Sequence, residues 1–132
     1  MTTQFTVEAV IPALPLVIWA AWLDGESHAS MTGGEATGEH TIGSEFTAWD
    51  GYISGKNLEL EPAKRILQSW RTSQFGSDDE DSMIELTLSP HGDESTTVTL
   101  KRTNVPDDQA AGYQSGWLDH YFEPMQAYFG VG

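Results

Sequence analysis

The stretch DDQAAGYQSGWLDHYFEPMQAYF, Asp107 to Phe129, decides how the rest of the chain must fold. Stepped at about 100° per residue, Tyr113, Trp117, Tyr121, Met125 and Tyr128 fall on one side. Leu118, Phe122 and Phe129 continue the same arc, and Ser115, Asp119, Glu123 and Gln126 fall opposite. The apolar face is a half-cylinder, wider than the roughly 100° stripe of an ordinary surface helix, so it needs a large concave partner. Asp107 and Asp108 supply N-cap chemistry and the charge sign that a helix N-terminus favours. Gly130 stops the helix. Pro124 removes one backbone hydrogen bond inside it and predicts a kink.

Working outward, the 132 residues predict a single domain spanning 1–132, long enough to bury a core without a covalent staple. The chain has no cysteine, which excludes disulfides, thiolate metal sites and cysteine nucleophiles, and fits a cytoplasmic location. Twenty acidic residues stand against six basic ones, a formal charge of −14. Nucleic acid and anionic membrane surfaces would repel such a chain, so neither is an expected partner. The apolar run Ala9–Leu23 has no Lys or Arg ahead of it, is broken by Pro12 and Pro15, and is too short to span a bilayer. It reads as a strand and then a helix of a soluble, unprocessed protein.

Before the long helix, alternation predicts a sheet. Gln4–Ile11 is a strand with Phe5, Val7 and Ala9 on one face. Leu16–Leu23 is a short apolar helix with Trp19 and Trp22 on a shared face. Asp24 caps a second helix through Ser30, and Gly33, Gly34 and Gly38 open a loop. Gly43–Trp49 is a strand, and Asp50-Gly51 is the signature of a two-residue type I′ turn. That turn sets Ala48 opposite Ile53 and Phe46 opposite Gly55, with Trp49 and Tyr52 paired on the outer face. Leu58 and Leu60 have the opposite parity to Ile53, which predicts a bulge near Gly55–Asn57. After a turn at Glu61–Lys64, Arg65–Thr72 is a strand with Ile66, Gln68 and Trp70 on one face. Gly76–Asp81 is a solvated acidic loop without the spaced ligands and glycine of a calcium loop. Ser82–Ser89 points Ile84, Leu86 and Leu88 inward, and Ser95–Thr103 returns with Val98 and Leu100 inward. Strands joined by short turns are antiparallel. The expected class is therefore α+β, a curved antiparallel sheet wrapped around the C-terminal helix.

Several segments resemble one family. They are Ala29-Ser30-Met31-Thr32-Gly33-Gly34-Glu35-Ala36, Phe46 through Gly55, Leu58-Glu59-Leu60-Glu61-Pro62, and Arg65 through Arg71. Gly116-Trp117, Tyr121-Phe122, Pro124-Met125 and Tyr128-Phe129 complete the set. They are similar to the SRPBCC or START-like superfamily, in the branch of the C-terminal domain of the activator of the heat-shock chaperone ATPase. The resemblance implies a helix-grip fold with two small helices after the first strand. It also implies a cavity between sheet and helix that many relatives use for apolar molecules, and a chaperone as a protein partner.

The residues themselves carry no strong catalytic motif. Gly112-Tyr113-Gln114-Ser115-Gly116 is out of step with a nucleophile elbow and lies within a helix. His28, His40, His91 and His120 have no metal-ligand spacing, and no glycine-rich stretch joins a strand to a helix to cradle phosphate. No cofactor or metal is expected. What remains is an aromatic-rich gap, the composition of a pocket for apolar small molecules. The candidate ligand-binding residues are Phe46, Gln68, Trp70, Ile84, Leu86, Trp117 and Tyr121, with Gln68 and Tyr121 orienting a polar end. The expected function is a non-catalytic binding module. The alternatives are a polyketide-cyclase or aromatase-like enzyme on the same fold, and a chaperone-ATPase stimulator acting through its surface at Trp49 and Tyr52.

Overall fold

The structure, a computed structural model, describes residues 2–39, 41–73, 81–106 and 110–130. The expected cap at Asp107 and Asp108, residues 76–80 of the acidic loop, and His40 lie outside the described residues. Strand β1 (Thr2–Ile11) turns Phe5, Val7, Ala9 and Ile11 inward. Helix α1 (Pro15–Leu23) follows, its first-turn proline set where no N–H is needed. Helix α2 (Gly25–Thr32) is capped by Asp24, whose carboxylate accepts the Ser27 N–H at 2.9 Å. Gly33, at φ +90°, ends it. Then come β2 (Glu45–Ala48), β3 (Ile53–Glu61), β4 (Arg65–Thr72), β5 (Ser82–His91) and β6 (Ser95–Pro106). The chain closes with α3 (Ala110–Trp117), a π turn (Leu118–Phe122) and α4 (Glu123–Gly130).

The strands form one antiparallel sheet in the order β1-β6-β5-β4-β3-β2. The first two strands therefore sit at opposite edges, and the α1–α2 pair carries the chain from one to the other. The remaining strands meander back until β6 pairs with β1. The C-terminal helical segment packs on β1 and α2. Ile66, Trp70, Ile84, Leu86, Leu88, Val98 and Leu100 point from the sheet into the core, each buried. Val105 stays buried despite its shifted parity because Asn104, at φ +60°, takes up an extra residue where β1 and β6 change register between Thr3 and Phe5. This arrangement is the helix-grip fold, the curved sheet closing on the C-terminal helical segment.

Three local expectations change. Asp50 (φ 60°, ψ 30°) and Gly51 (φ 90°) do take type I′ geometry, and the Tyr52 N–H donates to the Trp49 carbonyl at 3.1 Å. Ala48 pairs with Ile53 and Phe46 with Gly55 as expected. The outward Trp49–Tyr52 pair does not form. Trp49 itself has φ +51° and Tyr52 is helical, so both leave the ladder. The Trp49 ring turns inward, 5.7 Å from His120 and 6.3 Å from Tyr121. It lies over Gly34, where a Cβ would come within 2.7 Å of it. Burial of a large aromatic surface outweighs the strain at one backbone position.

The bulge lies between Asn57 and Glu59, later than expected, because Asn57 keeps the inward parity of Ile53. Finally, the long helix is interrupted by the π turn, which ends just ahead of Pro124. Proline has no N–H to offer the carbonyl four residues earlier, and the widened turn is how this helix absorbs the loss.

Candidate functional site

The grip is filled by rings. Trp22 from α1 stacks on Trp70 from β4 at 6.1 Å and on Trp117 from α3 at 6.2 Å. Trp70 and Trp117 lie 5.1 Å apart, and Tyr121 from the π turn is 4.9 Å from both Trp22 and Trp117. Sequence spacing puts each ring on an inward position.

Buried polar groups hold these rings in place. The Trp22 indole N–H donates to Gln68 Oε1 at 3.0 Å, and Gln68 Nε2 donates to Asn57 Oδ1 at 2.7 Å. Asn57 Nδ2 in turn donates to the carbonyls of Glu39 (2.9 Å) and Thr41 (3.1 Å). His28 Nδ1 is 2.8 Å from the Trp22 carbonyl, and its Nε2 is 2.9 Å from the Tyr121 hydroxyl. A carbonyl only accepts, so Nδ1 carries the hydrogen and Nε2 accepts the Tyr121 O–H. Burial lowers the His28 pKa and so favours this neutral imidazole. Burial also pushes the Tyr121 phenol far up, only partly offset by the neighbouring Trp49 side chain.

Beside the ring cluster, where α3 faces the strand ends at Ile53, Thr72 and Arg102, lies an open cleft of about 740 Å³. Trp49, Tyr52 and Tyr113 flank it, and Asp119 and His120 stand at its exposed rim. Arg102, 1% exposed, borders it from β6. Its Nε donates to Ser82 Oγ at 3.1 Å, and Ser82 donates to the Trp70 carbonyl. The guanidinium lies 4.4 Å from the centre of the Tyr113 ring and 5.9 Å from that of Trp117. Desolvation lowers the Arg102 pKa to about 10, so it stays charged at neutral pH. The Tyr113 and Thr72 hydroxyls are 2.6 Å apart. The Trp117 indole N–H is buried and has no hydrogen-bond partner among the described residues.

Of the seven candidate residues, Trp70, Trp117 and Tyr121 border this cleft. Phe46 packs on Trp70 at 5.5 Å and faces a second groove on the β2–β3 side. Gln68, Ile84 and Leu86 are buried in the sheet and do not reach the cleft. The Gln68 amide is engaged at both ends and the Tyr121 proton is committed to His28. Arg102, Trp22, His28 and Tyr113 are not among the sequence-derived ligand-binding candidates, and Trp49, expected on the outer surface, turns inward to the cleft. Arg102 was signalled, since it shares the inward parity of Val98 and Leu100; His28 carried no comparable signal. Among the described residues no group of three or more His, Asp or Glu could hold a metal ion. No helix among them is long and apolar enough to cross a membrane.

Comparison with known proteins places these features in a family. A family model described as "Activator of Hsp90 ATPase homolog 1-like protein" matches residues 12–130. An activator of 90 kDa heat shock protein ATPase homolog from Dictyostelium discoideum is 31% identical over 100 residues, 76% of this chain and 26% of that protein. The human activator homolog 1 is 26% identical over 131 residues, 99% of this chain and 38% of that protein. The chain thus spans well under half the length of these relatives. Among solved structures, an Hsp90 activator from Plasmodium falciparum superposes with a TM-score of 0.87 at 18% identity, covering 96% of both chains. CalU16 from Micromonospora echinospora superposes at 0.79 and 22% identity, covering 98% of this chain and 78% of that one. At those identities the superpositions speak for the fold alone.

Proposed function

The chain belongs to the activator of Hsp90 ATPase homolog 1-like family, and from that premise we propose that it is a non-catalytic binding module for an apolar small molecule. The site is the cleft beside the ring cluster, between the sheet at Ile53, Thr72 and Arg102 and the C-terminal helical segment. One observation carries this reading: a space of about 740 Å³ is walled by Trp49, Tyr113 and Trp117, within the size range of small-molecule pockets. The neighbouring Tyr121–His28 pair is bonded to itself, which leaves it poorly placed for acid–base chemistry on an occupant.

The test is a panel of fatty acids, sterols and flavonoid-like aromatics, followed by melting temperature and tryptophan fluorescence. A ligand at about 100 times its dissociation constant adds roughly 2.7 kcal/mol of stability. A flat response across the panel, with no small molecule retained by the natively purified protein in mass spectrometry, would refute the reading. Turnover of a panel member, lost on changing one inward polar residue, would make the module an enzyme of the polyketide-cyclase kind instead.

A second reading has its own support, since the Dictyostelium and human relatives are named as activators of the 90 kDa heat shock protein ATPase. In that reading the domain contacts a chaperone through its surface. Stimulation of a cognate Hsp90 ATPase by the isolated chain would establish it, and no change in turnover at saturating concentrations would dismiss it.

A further inference from the structure

We propose that Gly112 and Gly116 shape the cleft for its occupant. They leave a bare strip of α3 backbone against which an uncharged, flat ring compound lies, and a carbonyl-type oxygen on that compound accepts the Trp117 indole N–H. The inference rests on the cleft being a binding site and adds the residues that shape it and the chemical class of what enters it.

Glycine is the poorest helix former after proline, yet α3 carries two, one turn apart and both on the wall of the cleft. Glycines elsewhere in the chain have an internal reason. Gly33 and Gly51 take positive φ. A Cβ at Gly34 would come within 2.7 Å of the Trp49 ring, and one at Gly55 within 2.0 Å of the Ser69 carbonyl oxygen. Neither reason applies in α3. Gly112 and Gly116 have no positive φ. An added Cβ at Gly112 would meet nothing within 4 Å, and one at Gly116 only His120 Cδ2 at 3.7 Å, an ordinary contact. The protein's own packing leaves this space unused, and a side chain at either position would occupy it.

A second observation points to the same place. Trp117, next to Gly116, borders the cleft, and its buried indole N–H has no hydrogen-bond partner among the described residues. An unmet buried donor carries a desolvation cost that an incoming acceptor removes. The N–H is shielded from water, so the acceptor that reaches it belongs to a body large enough to part the lining. Asp119 at the rim and the overall charge of −14 weigh against an anion. Arg102 keeps its own partners in Ser82 and the Tyr113 ring, and its charge weighs against a cation. A neutral acceptor on a flat apolar ring remains, with Trp49, Tyr113 and Trp117 supplying the aromatic surface.

The experiment titrates 1-indanone and indane, flat rings that differ in one carbonyl oxygen, into the wild-type chain by calorimetry and by nitrogen–proton correlation NMR. 1-Indanone is expected to bind about three- to tenfold more tightly, the scale of one neutral hydrogen bond. It should also move the Trp117 indole proton downfield, which indane should not. Trp117→Phe identifies that signal by its loss and should equalise the two probes. Gly112→Leu and Gly116→Leu should melt no lower than the wild type, because leucine is the better helix former, yet bind 1-indanone at least about tenfold more weakly. Equal binding of the two probes, or wild-type affinity for 1-indanone in both leucine variants, would overturn the inference and leave the cleft reading standing. Binding of neither probe would also overturn it, and the wider ligand panel decides the cleft reading separately. Because the wild-type comparison needs no variant, the inference stays open to refutation even if a variant does not fold.

Discussion

Gln68→Leu isolates what the buried polar chain contributes. Gln68 is 2% exposed, accepts from the Trp22 indole at 3.0 Å and donates to Asn57 at 2.7 Å. Leucine fits the volume but leaves two buried groups orphaned, the Trp22 N–H and Asn57 Oδ1. Each unsatisfied neutral group costs about 1–3 kcal/mol, so the gross loss is about 2–6 kcal/mol. Relief from burying the amide itself offsets part of this, and a net loss of about 3 kcal/mol is expected. Against a total stability of about 5–15 kcal/mol that is a large fraction, equivalent to roughly 10 °C in melting temperature. Urea unfolding followed by far-ultraviolet circular dichroism measures it, since the tryptophan signal itself is perturbed. Trp22→Phe removes the donor, so Gln68→Leu should cost less in that background, with a coupling of about 0.5–3 kcal/mol. A loss under about 1 kcal/mol with an unchanged urea slope, or additive single effects, would refute the claim that this chain of bonds braces the grip.

Other perturbations follow from the same geometry. Trp117→Ala removes a buried ring that stacks on Trp22 and Trp70, and should cost about 3–5 kcal/mol in urea unfolding. Gly55→Ala places a Cβ 2.0 Å from the Ser69 carbonyl oxygen and 2.7 Å from the Phe46 ring. A backbone atom cannot swing away, so at least about 1–3 kcal/mol should be lost, read as a lower melting temperature. His28 has its pKa lowered by burial, so below about pH 6.5 the unfolded chain takes up a proton that the folded chain refuses. Its contribution is therefore present above that pH and lost as pH falls. The urea midpoint of the wild type should drop more between pH 7.5 and 5 than that of His28→Gln, and parallel profiles would count against the buried neutral imidazole.

How far the sequence carried the structure depends on the range of the force involved. Alternation is local, and it placed the inward faces of β4 and β5 correctly from Ile66, Gln68, Trp70, Ile84 and Leu86. Turn chemistry is also local, so Asp50-Gly51 gave both the turn and the Ala48–Ile53 register. Trp49 broke the pattern because its fate is decided by rings that arrive about 70 residues later, at His120 and Tyr121. His28 is a harder case. Its helix has no apolar periodicity to define a face, and its partner Tyr121 lies 93 residues away, so nothing near it in sequence distinguishes it from a surface histidine. Arg102 is the reverse. The parity of Val98 and Leu100 extends to it directly, and β6 continues past it to Pro106 after the extra residue at Asn104. An arginine at the end of an alternating run reads as the strand emerging into water, because an inward charge has no local reason to be there. Its reason is tertiary: Ser82 from β5 and Tyr113 from α3 converge on it at the border of the cleft. An inward charge in a sheet is thus explained by the partners that tertiary structure brings to it, and the local pattern that reveals its direction does not reveal those partners.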